Sequence, residues 1–258
     1  MYNPMSLEGN TIVITGASQG IGQSVAEVAY ELGANLVMVD VNEEGLAAAK
    51  KGFDEDRIMT CCGSVTNSVF INSALKGAQS RFGALHGLVN SAGVVRPAMI
   101  EKMSEQQWDQ VIDVNLTGCF RCIQSFGALA IEGIKRGDSP APRSIVNVSS
   151  IAGRAGTVGQ INYSAAKAGL FGITMSTARE WSKYNIRSNA VCFGVVETPM
   201  TEVVRGEKFR EQMLARIPLG RWAEVREASL PINFFLSEAS SYITGQLLSV
   251  DGGGFMSS

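Results

Sequence analysis

Tyr163 and Lys167 lie four positions apart in the stretch "NYSAAKAG", residues 162–169, and only small residues separate them. On a helix, side chains four positions apart share one face, so the lysine ammonium can approach the phenol. A tyrosine titrates at about 10 in water, and a neighbouring positive charge favours the phenolate and lowers that pKa. The two residues could form a proton-transfer pair, or they could be one turn of an ordinary packed helix.

A second chemical signal is the stretch "TIVITGASQGIG", residues 11–22. A strand-like apolar run leads directly into Gly16, Gly20 and Gly22, and a helical pattern begins at once. Such glycines permit a tight turn and let the backbone approach a pyrophosphate, while the helix N-terminus offers free N–H groups. The pattern predicts a dinucleotide site, with a glycine-rich loop that binds no ligand as the alternative.

Asp40 follows Gly22 by 18 residues and ends the second predicted strand. A carboxylate in this place can accept hydrogen bonds from both adenosine ribose hydroxyls, and it repels a 2′-phosphate. The neighbouring residues Val41, Asn42 and Gln19 are not basic, so a 2′-phosphate would meet no positive charge. The sequence therefore predicts NAD rather than NADP. The alternative is that Asp40 caps a helix or is simply solvated.

Short apolar runs alternate with helical patterns along the chain, as is typical of parallel strands covered on both faces. This alternation predicts an α/β, single-domain Rossmann fold over residues 1–258, with a doubly wound, parallel, seven-stranded sheet and helices on both faces. The predicted strands are 11–15, 35–40, 57–62, 86–90, 144–150, 186–193 and 246–250. The predicted helices are 20–32, 45–52, 68–83, 104–134 (with a break allowed), 162–184, 200–216 and 223–237.

The composition narrows the class of protein. Hydrophobic residues make up 45% of the 258 residues, charged residues 18%, and the formal net charge is −2. These values favour a soluble globular protein and provide no basic excess for nucleic acid or an anionic membrane. No apolar run approaches the ~20 residues that span a bilayer, and the first ten residues lack the features of a signal peptide. We expect a cytoplasmic protein.

Cys119 and Cys122 form a C-x-x-C pattern. The pattern lies inside a predicted helix, whereas a redox pair normally lies at a helix N-terminus, where the dipole lowers a thiol pKa. His86 is the only histidine, so the sequence offers no histidine cluster to complete a zinc site. We predict two buried thiols, no metal site, and a surface position for His86.

The glycine spacing G-x-x-x-G-x-G and the Y-x-x-x-K pattern together resemble the short-chain dehydrogenase/reductase family. The resemblance runs from about Leu7 to Gly253, and Ser150 lies 13 residues before Tyr163, which is the family's spacing. The other matching stretches are "NSAG" (90–93), "NLTG" (115–118), "IVNVSS" (145–150) and "ITGQLLSVDGG" (243–253).

The resemblance implies an oxidoreductase that transfers a hydride between NAD(H) and a secondary alcohol or ketone. Tyr163 would be the general acid/base, and Ser150 would hold the substrate oxygen beside the phenol. Lys167 would also bind the nicotinamide ribose, and Asn115 would hold a water that links Lys167 to solvent.

The resemblance also implies the residues around the two ligands. A substrate loop, at about 197–222, would cover the site, and the substrate would contact Ser150, Ala152, Tyr163, Phe193 and Met200. Cofactor contacts are expected from Gly16, Ser18, Gln19, Gly20, Ile21, Gly22, Asp40, Ser64, Val65, Asn90, Ala92, Gly93, Tyr163, Lys167, Gly194, Val196 and Thr198.

Ser91, His86, Ser64 and Phe193 depart from the family pattern, and the last two affect the ligand sites. Ser64 stands where an Asp that contacts adenine is usual, and Phe193 stands where a Pro is common. These departures put the adenine contact and the geometry of the substrate loop in doubt.

The function has three interpretations. "IPLGR" (217–221) is similar to the 3-oxoacyl-carrier-protein reductase subgroup, which generally uses NADPH, whereas Asp40 favours an NAD-dependent dehydrogenase of a small alcohol or ketone. The remote alternative is a protein that binds NAD without turnover. By resemblance, the helices at about 104–134 and 162–184 would assemble a homotetramer.

Overall fold

Seven parallel strands form one sheet in the order β3-β2-β1-β4-β5-β6-β7. The computed structural model describes residues 2–137 and 142–256, and within these ranges all seven predicted strands lie within one residue of the observed bounds. The predicted doubly wound parallel sheet is confirmed. The strands are β1 (Thr11–Thr15), β2 (Asn35–Asp40), β3 (Ile58–Cys62), β4 (Gly87–Asn90), β5 (Arg143–Ser150), β6 (Ile186–Phe193) and β7 (Leu247–Val250).

Helices cover both faces of the sheet. Along β1, Ile12 and Ile14 pack into the core on one face, while Val13 packs into the core on the other. This two-sided burial explains why the strands are continuously apolar rather than alternating. The helices are α1 (Gly20–Glu31), α2 (Glu43–Ala49), α3 (Ser68–Phe82), α4 (Glu105–Ile112), α5 (Gly118–Lys135), α6 (Ala152–Ala155), α7 (Ile161–Trp181), α8 (Glu202–Arg205), α9 (Glu207–Leu214) and α10 (Val225–Leu236).

The two layers of helices enclose separate apolar cores. Side chains of α1, α2 and α10 pack on one face of the sheet, and side chains of α3, α5 and α7 pack on the other. The order of the sheet reverses direction between β1 and β4, so the loops after these strands diverge and leave a crevice. The crevice lies at the edge of the sheet where the carboxyl ends of the strands meet.

Two predicted helices are interrupted. The helix predicted over 104–134 is broken by a π-helical turn at Asp113–Thr117, which separates α4 from α5. The helix predicted over 200–216 is broken at Gly206, whose φ of −61° and ψ of 156° are extended and separate α8 from α9. Periodicity alone did not locate either break, because the apolar pattern continues across it.

The cysteine prediction is confirmed and the histidine prediction is wrong. Cys119 and Cys122 are buried, and burial raises the pKa of the Cys122 thiol to about 12. His86 is half-buried, and its Nδ1 accepts a hydrogen bond from the Thr11 backbone N–H at 3.0 Å, so it supports the start of β1. Burial and the nearby Arg143 lower the pKa of His86.

The described ranges contain neither a cluster of metal ligands nor a membrane-spanning helix. Residues 2–137 and 142–256 include no group of three or more His, Cys, Asp or Glu side chains able to hold a metal ion. Within the same ranges, none of the helices has the length and apolar character needed to cross a membrane. The cytoplasmic location and the single domain over 1–258 stay predictions, and residues 1, 138–141 and 257–258 lie outside the described structure.

The packing of α5 on α7 depends on Gly127. A Cβ atom built at Gly127 would lie inside contact distance of the Trp181 ring, whereas one built at Gly172 meets nothing within 4 Å. Both glycines lie in helix interiors, so alanine improves helix propensity equally at the two positions. Alanine substitutions at these two glycines therefore separate the effect of helix propensity on stability from the effect of packing.

We expect Gly172→Ala to raise the free energy of unfolding by about 0.5–1 kcal/mol, because alanine loses less backbone entropy than glycine. We expect Gly127→Ala to lower the same quantity by about 1–3 kcal/mol, because the added methyl group overpacks the Trp181 ring. Urea titration of the two variants and the parent measures both changes. Equal stabilisation by the two substitutions would contradict the overlap with Trp181.

Candidate active site

The glycine-rich turn after β1 lies against the loop after β4. Gly16 has a φ of +69°, and a Cβ atom there would lie 2.8 Å from the backbone nitrogen and Cα of Ala92. A Cβ atom at Gly22 would overlap the carbonyl oxygen of Gly16. Only glycine tolerates these close approaches of backbone to backbone. The turn is therefore built for a tight crossing and for close packing of α1.

The N-terminus of α1 is open for an anion. Gln19 precedes the helix in an extended conformation and makes no side-chain cap, and the described first turn contains no acidic residue. The first N–H groups of a helix lack intrahelical partners, and the helix dipole favours negative charge at this end. The residues present thus fit the pyrophosphate of a dinucleotide.

Asp40 is fixed beside the glycine-rich turn. Its Oδ2 accepts a hydrogen bond from the Ser18 N–H at 3.1 Å, and its Oδ1 accepts one from the Asn42 N–H at 3.0 Å. A carboxylate has about four acceptor sites, so capacity remains for two ribose hydroxyls. The carboxylate lies at the end of β2, as the sequence predicts.

Two predicted adenine contacts have other partners. The Ser64 hydroxyl is hydrogen-bonded to the Thr66 hydroxyl at 2.8 Å and accepts the Thr66 N–H at 3.1 Å, which closes a local turn. Val65 is 7% exposed, and its Cγ2 lies 2.7 Å from a Cβ atom built at Gly118. Contact of Ser64 and Val65 with adenine stays a prediction.

The loop after β6 closes the crevice from the opposite side. A Cβ atom built at Gly20 would lie 3.4 Å from the Thr198 Cγ2, so this loop lies against the start of α1. Val196 is buried and pairs with Ala223 in an isolated parallel bridge. Gly194 lies against Asp251, since a Cβ atom there would be 2.9 Å from the Asp251 Cβ.

Tyr163 and Lys167 lie in the first two turns of α7, beside the end of β5. The Lys167 Nζ lies 5.5 Å from the centroid of the Tyr163 ring, and it donates a hydrogen bond to the Val148 carbonyl at 2.7 Å. The Ser150 hydroxyl lies close enough to the Tyr163 phenol to favour its ionised form, and it donates a hydrogen bond to the Phe193 carbonyl at 3.4 Å. One strand and one helix therefore bring three of the four predicted catalytic residues together.

Asn115 occupies the centre of the π-helical turn and is 1% exposed. Its Oδ1 accepts the Val94 N–H at 2.7 Å, and its Nδ2 donates to the Val94 carbonyl at 2.9 Å. A Cβ atom built at Gly93 would lie 3.2 Å from the Asn115 Oδ1 and 3.8 Å from the Lys167 Nζ. Asn115 thus ties the loop after β4 to the site of Lys167.

Comparison with known proteins agrees with this geometry. A family model described as enoyl-(acyl carrier protein) reductase matches residues 16–254. The 3-oxoacyl-(acyl-carrier-protein) reductase FabG of Thermotoga maritima is 40% identical over 251 residues, which cover 96% of this chain and 99% of that protein. The chain belongs to the short-chain dehydrogenase/reductase family.

Solved structures of this family have nearly the same fold. A putative short-chain alcohol dehydrogenase from Sinorhizobium meliloti superposes with a TM-score of 0.90 at 32% identity, covering 98% of each chain. A short-chain dehydrogenase/reductase from Brucella melitensis, named glucose/ribitol dehydrogenase, superposes with a TM-score of 0.89 at 31% identity, covering 97% of this chain and 98% of that one. The family binds a nicotinamide cofactor, which the open turn before α1 fits.

The short-chain dehydrogenase/reductase site contains supporting residues that the sequence did not single out. Asn162 is fully buried, and its Nδ2 donates to the carbonyls of Arg96 and Gln107 at 3.1 and 3.0 Å. Its Oδ1 accepts the N–H of Tyr163 at 2.8 Å. Asn162 therefore fixes the N-terminus of α7, and an amide directly before the tyrosine was the available signal.

Asn90 supports the predicted cofactor site through buried hydrogen bonds. Its Nδ2 donates to the Asn147 Oδ1 at 2.9 Å, and Asn147 donates in turn to the Thr174 hydroxyl at 2.9 Å. The Thr15 hydroxyl accepts the N–H groups of Ser91 and Ala92, both at 3.2 Å. These buried bonds set the path of the loop that faces Gly16.

The predicted substrate residues divide into two groups. Ser150 and Ala152 lie together, because the Ala152 N–H donates to the Ser150 hydroxyl at 3.1 Å, and Met200 is 45% exposed on the opposite loop. Phe193 is 3% exposed and packs in the apolar core. Its carbonyl accepts the Ile151 N–H at 2.9 Å, so Phe193 contributes through its backbone and leaves little side-chain surface for substrate.

Burial dominates the electrostatics of the catalytic pair. It raises the pKa of Tyr163 to about 12, partly opposed by the hydrogen bond from Ser150. It lowers the pKa of Lys167 to about 8. The sequence predicts a lowered pKa for the phenol, and the structure corrects this, because desolvation of the phenolate outweighs an ammonium that is 5.5 Å from the ring centre. Tyr163 therefore keeps its proton at neutral pH.

Lys167 gives stability a specific pH dependence. The folded protein releases the Lys167 proton near pH 8, whereas the ordinary pKa of the side chain is 10.5. Between these values the unfolded chain binds more protons, so stability rises with pH. We expect the free energy of unfolding of the parent to rise relative to that of Lys167→Met between pH 8 and 10, by on the order of 2 kcal/mol.

Urea titrations at several pH values measure this difference. Lys167→Gln provides a second neutral side chain if the methionine variant does not fold. A difference that stays constant between pH 8 and 10 would show that folding leaves the pKa of Lys167 unchanged.

Proposed function

We propose that this chain reduces 3-oxoacyl thioesters to 3-hydroxyacyl thioesters and prefers NADH as the hydride donor. The observation that supports the carbonyl chemistry is the grouping of Ser150, Tyr163 and Lys167 where the end of β5 meets the start of α7. The acyl group is supported by the name of the Thermotoga maritima relative. The preference for NADH is supported by Asp40.

The four side chains have distinct roles in this reaction. Ser150 and Tyr163 both donate hydrogen bonds to the substrate carbonyl, and Tyr163 gives its proton to the oxygen as negative charge develops there. Lys167 stabilises the resulting phenolate through its positive charge. A nicotinamide cofactor, held by the glycine-rich turn and Asp40, supplies the hydride. Asn115 keeps the loop after β4 against Lys167.

Large apolar side chains are exposed on the segment that joins Ser150 to Tyr163 and on the predicted substrate loop. Val158, between Ser150 and Tyr163 in the chain, is 85% exposed. On the substrate loop, Val203 is 78% exposed and Leu219 is 67% exposed. Exposed apolar side chains on these two segments match an acyl chain better than a polyol, whose hydroxyls need hydrogen-bonding partners. Arg205 is engaged within the loop, since it donates to the Thr198 carbonyl at 3.1 Å.

A second candidate is the NAD-dependent oxidation of a small secondary alcohol or polyol. Asp40 favours it, and the related Brucella melitensis protein is named a glucose/ribitol dehydrogenase. The name of the Thermotoga maritima relative, a 3-oxoacyl-(acyl-carrier-protein) reductase, weighs against it. Binding of NAD without turnover stays the remote alternative.

Assembly also stays a proposal. Trp108 of α4, Phe120 of α5 and Met175 of α7 are 38%, 47% and 44% exposed. Large exposed apolar side chains on neighbouring helices are typical of surfaces that another subunit covers. They support the homotetramer that the sequence predicts.

Asp40 determines the preferred cofactor in this proposal. We expect the parent to bind NADH at least about tenfold more tightly than NADPH, because the carboxylate repels a 2′-phosphate. Asp40→Ser should weaken NADH binding and strengthen NADPH binding, whereas Asp109→Ser, which removes an exposed charge from α4, should change neither. Titration followed by nicotinamide fluorescence measures all three proteins. A parent that prefers NADPH would overturn the assignment to Asp40.

Tyr163 supplies the proton in this proposal. With NADH and an acetoacetyl thioester, we expect Tyr163→Phe to lower kcat by roughly 10²–10⁴-fold, because phenylalanine has no proton to donate. The dissociation constant for NADH should change less than about twofold, which separates chemistry from cofactor binding. Steady-state kinetics with the thioester and with ribitol compares the two candidate reactions. A higher kcat/KM for ribitol oxidation would favour the second candidate.

A further inference from the structure

The C-terminal segment, residues 251–255, lies against the end of the substrate loop. The Leu219 N–H donates to the Gly252 carbonyl at 3.1 Å. A Cβ atom built at Gly252 would lie 2.7 Å from the Ile217 Cγ2, and one at Gly253 would lie 3.1 Å from the Pro218 Cγ. The glycines of the segment therefore allow close contact along the point where the substrate loop rejoins the fold.

Asp251 gives this segment a fixed shape. Its Oδ1 accepts the Gly253 N–H at 3.0 Å, and its Oδ2 accepts the Phe255 N–H at 2.7 Å. The chain turns back on itself around the carboxylate. The Phe255 ring is consequently held at a set position, half-buried, rather than left on a free tail.

Arg154, in α6, lies close to the Phe255 ring. Its guanidinium carbon lies 5.7 Å from the ring centroids of both Phe255 and Phe171, within the range of a cation–π contact. Its Nη2 donates a hydrogen bond to the Leu247 carbonyl at the start of β7. The guanidinium thus joins α6, α7, β7 and the C-terminal segment.

The helix that carries Arg154 is attached to Ser150. The Ser150 hydroxyl accepts the Ala152 N–H, and the Arg154 N–H donates to the Ile151 carbonyl at 2.9 Å. A displacement of α6 therefore changes the direction of the Ser150 hydroxyl. The path from Ser150 through Arg154 and Phe255 ends at Leu219 of the substrate loop.

We propose that Arg154 is a positioning residue that, through Phe255, holds the substrate loop in register with Ser150. It acts by fixing the distance between two walls of the substrate site, α6 beside Ser150 and the substrate loop. The proposal rests on the proposed function for its kinetic consequence. Its structural consequence, a substrate loop anchored by the C-terminal segment, is measurable without any turnover.

Limited trypsin digestion reports on the anchor directly. The substrate loop has exposed cleavage sites at Arg210 and Arg216. We expect Arg154→Met to be cut there about tenfold faster than the parent, because the loop opens more often when its anchor is lost. Arg154→Lys retains the positive charge, so its cleavage rate should lie between those of the parent and Arg154→Met.

Kinetics with NADH and an acetoacetyl thioester provides the second measurement. We expect Arg154→Met to raise KM by about tenfold and to lower kcat by less than about threefold, because the proton donor is intact while the substrate wall is not. Phe255→Ala should have the same effects, and the double variant should show no further change, because the two residues form one contact.

Arg57→Met is a matched control at the other edge of the sheet. The Arg57 guanidinium also lies over a ring, 3.9 Å from the Tyr30 centroid, and donates to the carbonyls of Tyr30 and Ala34. We expect Arg57→Met to lower the free energy of unfolding by about as much as Arg154→Met does. Its KM and the cleavage of its substrate loop should equal those of the parent.

Two outcomes would overturn the proposal. One is cleavage of Arg154→Met at the parent rate, and the other is independent, additive effects of Arg154→Met and Phe255→Ala. If the parent itself does not reduce the thioester, the proposed function fails, while the digestion still decides whether Arg154 anchors the loop.

Discussion

The site depends on the ammonium group of Lys167, which is buried close to the Tyr163 phenol. Lys167 is 4% exposed and donates to the Val148 carbonyl, so its charge is held where solvent barely reaches it. Burying a charge is costly unless it is paired or hydrogen-bonded. The end of β5 provides the acceptor, and the π-helical turn at Asp113–Thr117 brings Asn115 within reach of the same pocket. These contacts keep a cation ready to stabilise the phenolate that proton donation leaves.

Close approach of backbone to backbone sets the other half of the site. The turn after β1 passes over the loop after β4 at a distance that a side chain on Gly16 would prevent. The backbone of the same loop donates hydrogen bonds to the Thr15 hydroxyl and to the Asn115 side chain. Cofactor loop and catalytic residues are therefore parts of one packed unit, in which Gly93 lies between Asn115 and Lys167.

The two ends of the site point to different features of the reaction. In the proposed function, Asp40 contacts only the adenosine ribose and therefore affects only the choice between two cofactors. In the same proposal, Tyr163 and the named relative concern the group that is reduced. Because these features are separated in space, an NADH preference and a 3-oxoacyl substrate are compatible. The C-terminal segment is packed along the base of the predicted substrate loop.

Local sequence determined the strands, the glycine-rich turn, Asp40 and the spacing of Ser150, Tyr163 and Lys167, because each depends on residues close together in the chain. Tertiary structure decided what depends on distant segments. Desolvation raised the pKa of Tyr163 where the sequence predicted a lower one, and the core took up the Phe193 side chain. Contacts between residues far apart in the chain, such as that between Arg154 and Phe255, have no local pattern and become visible only when the chain is folded.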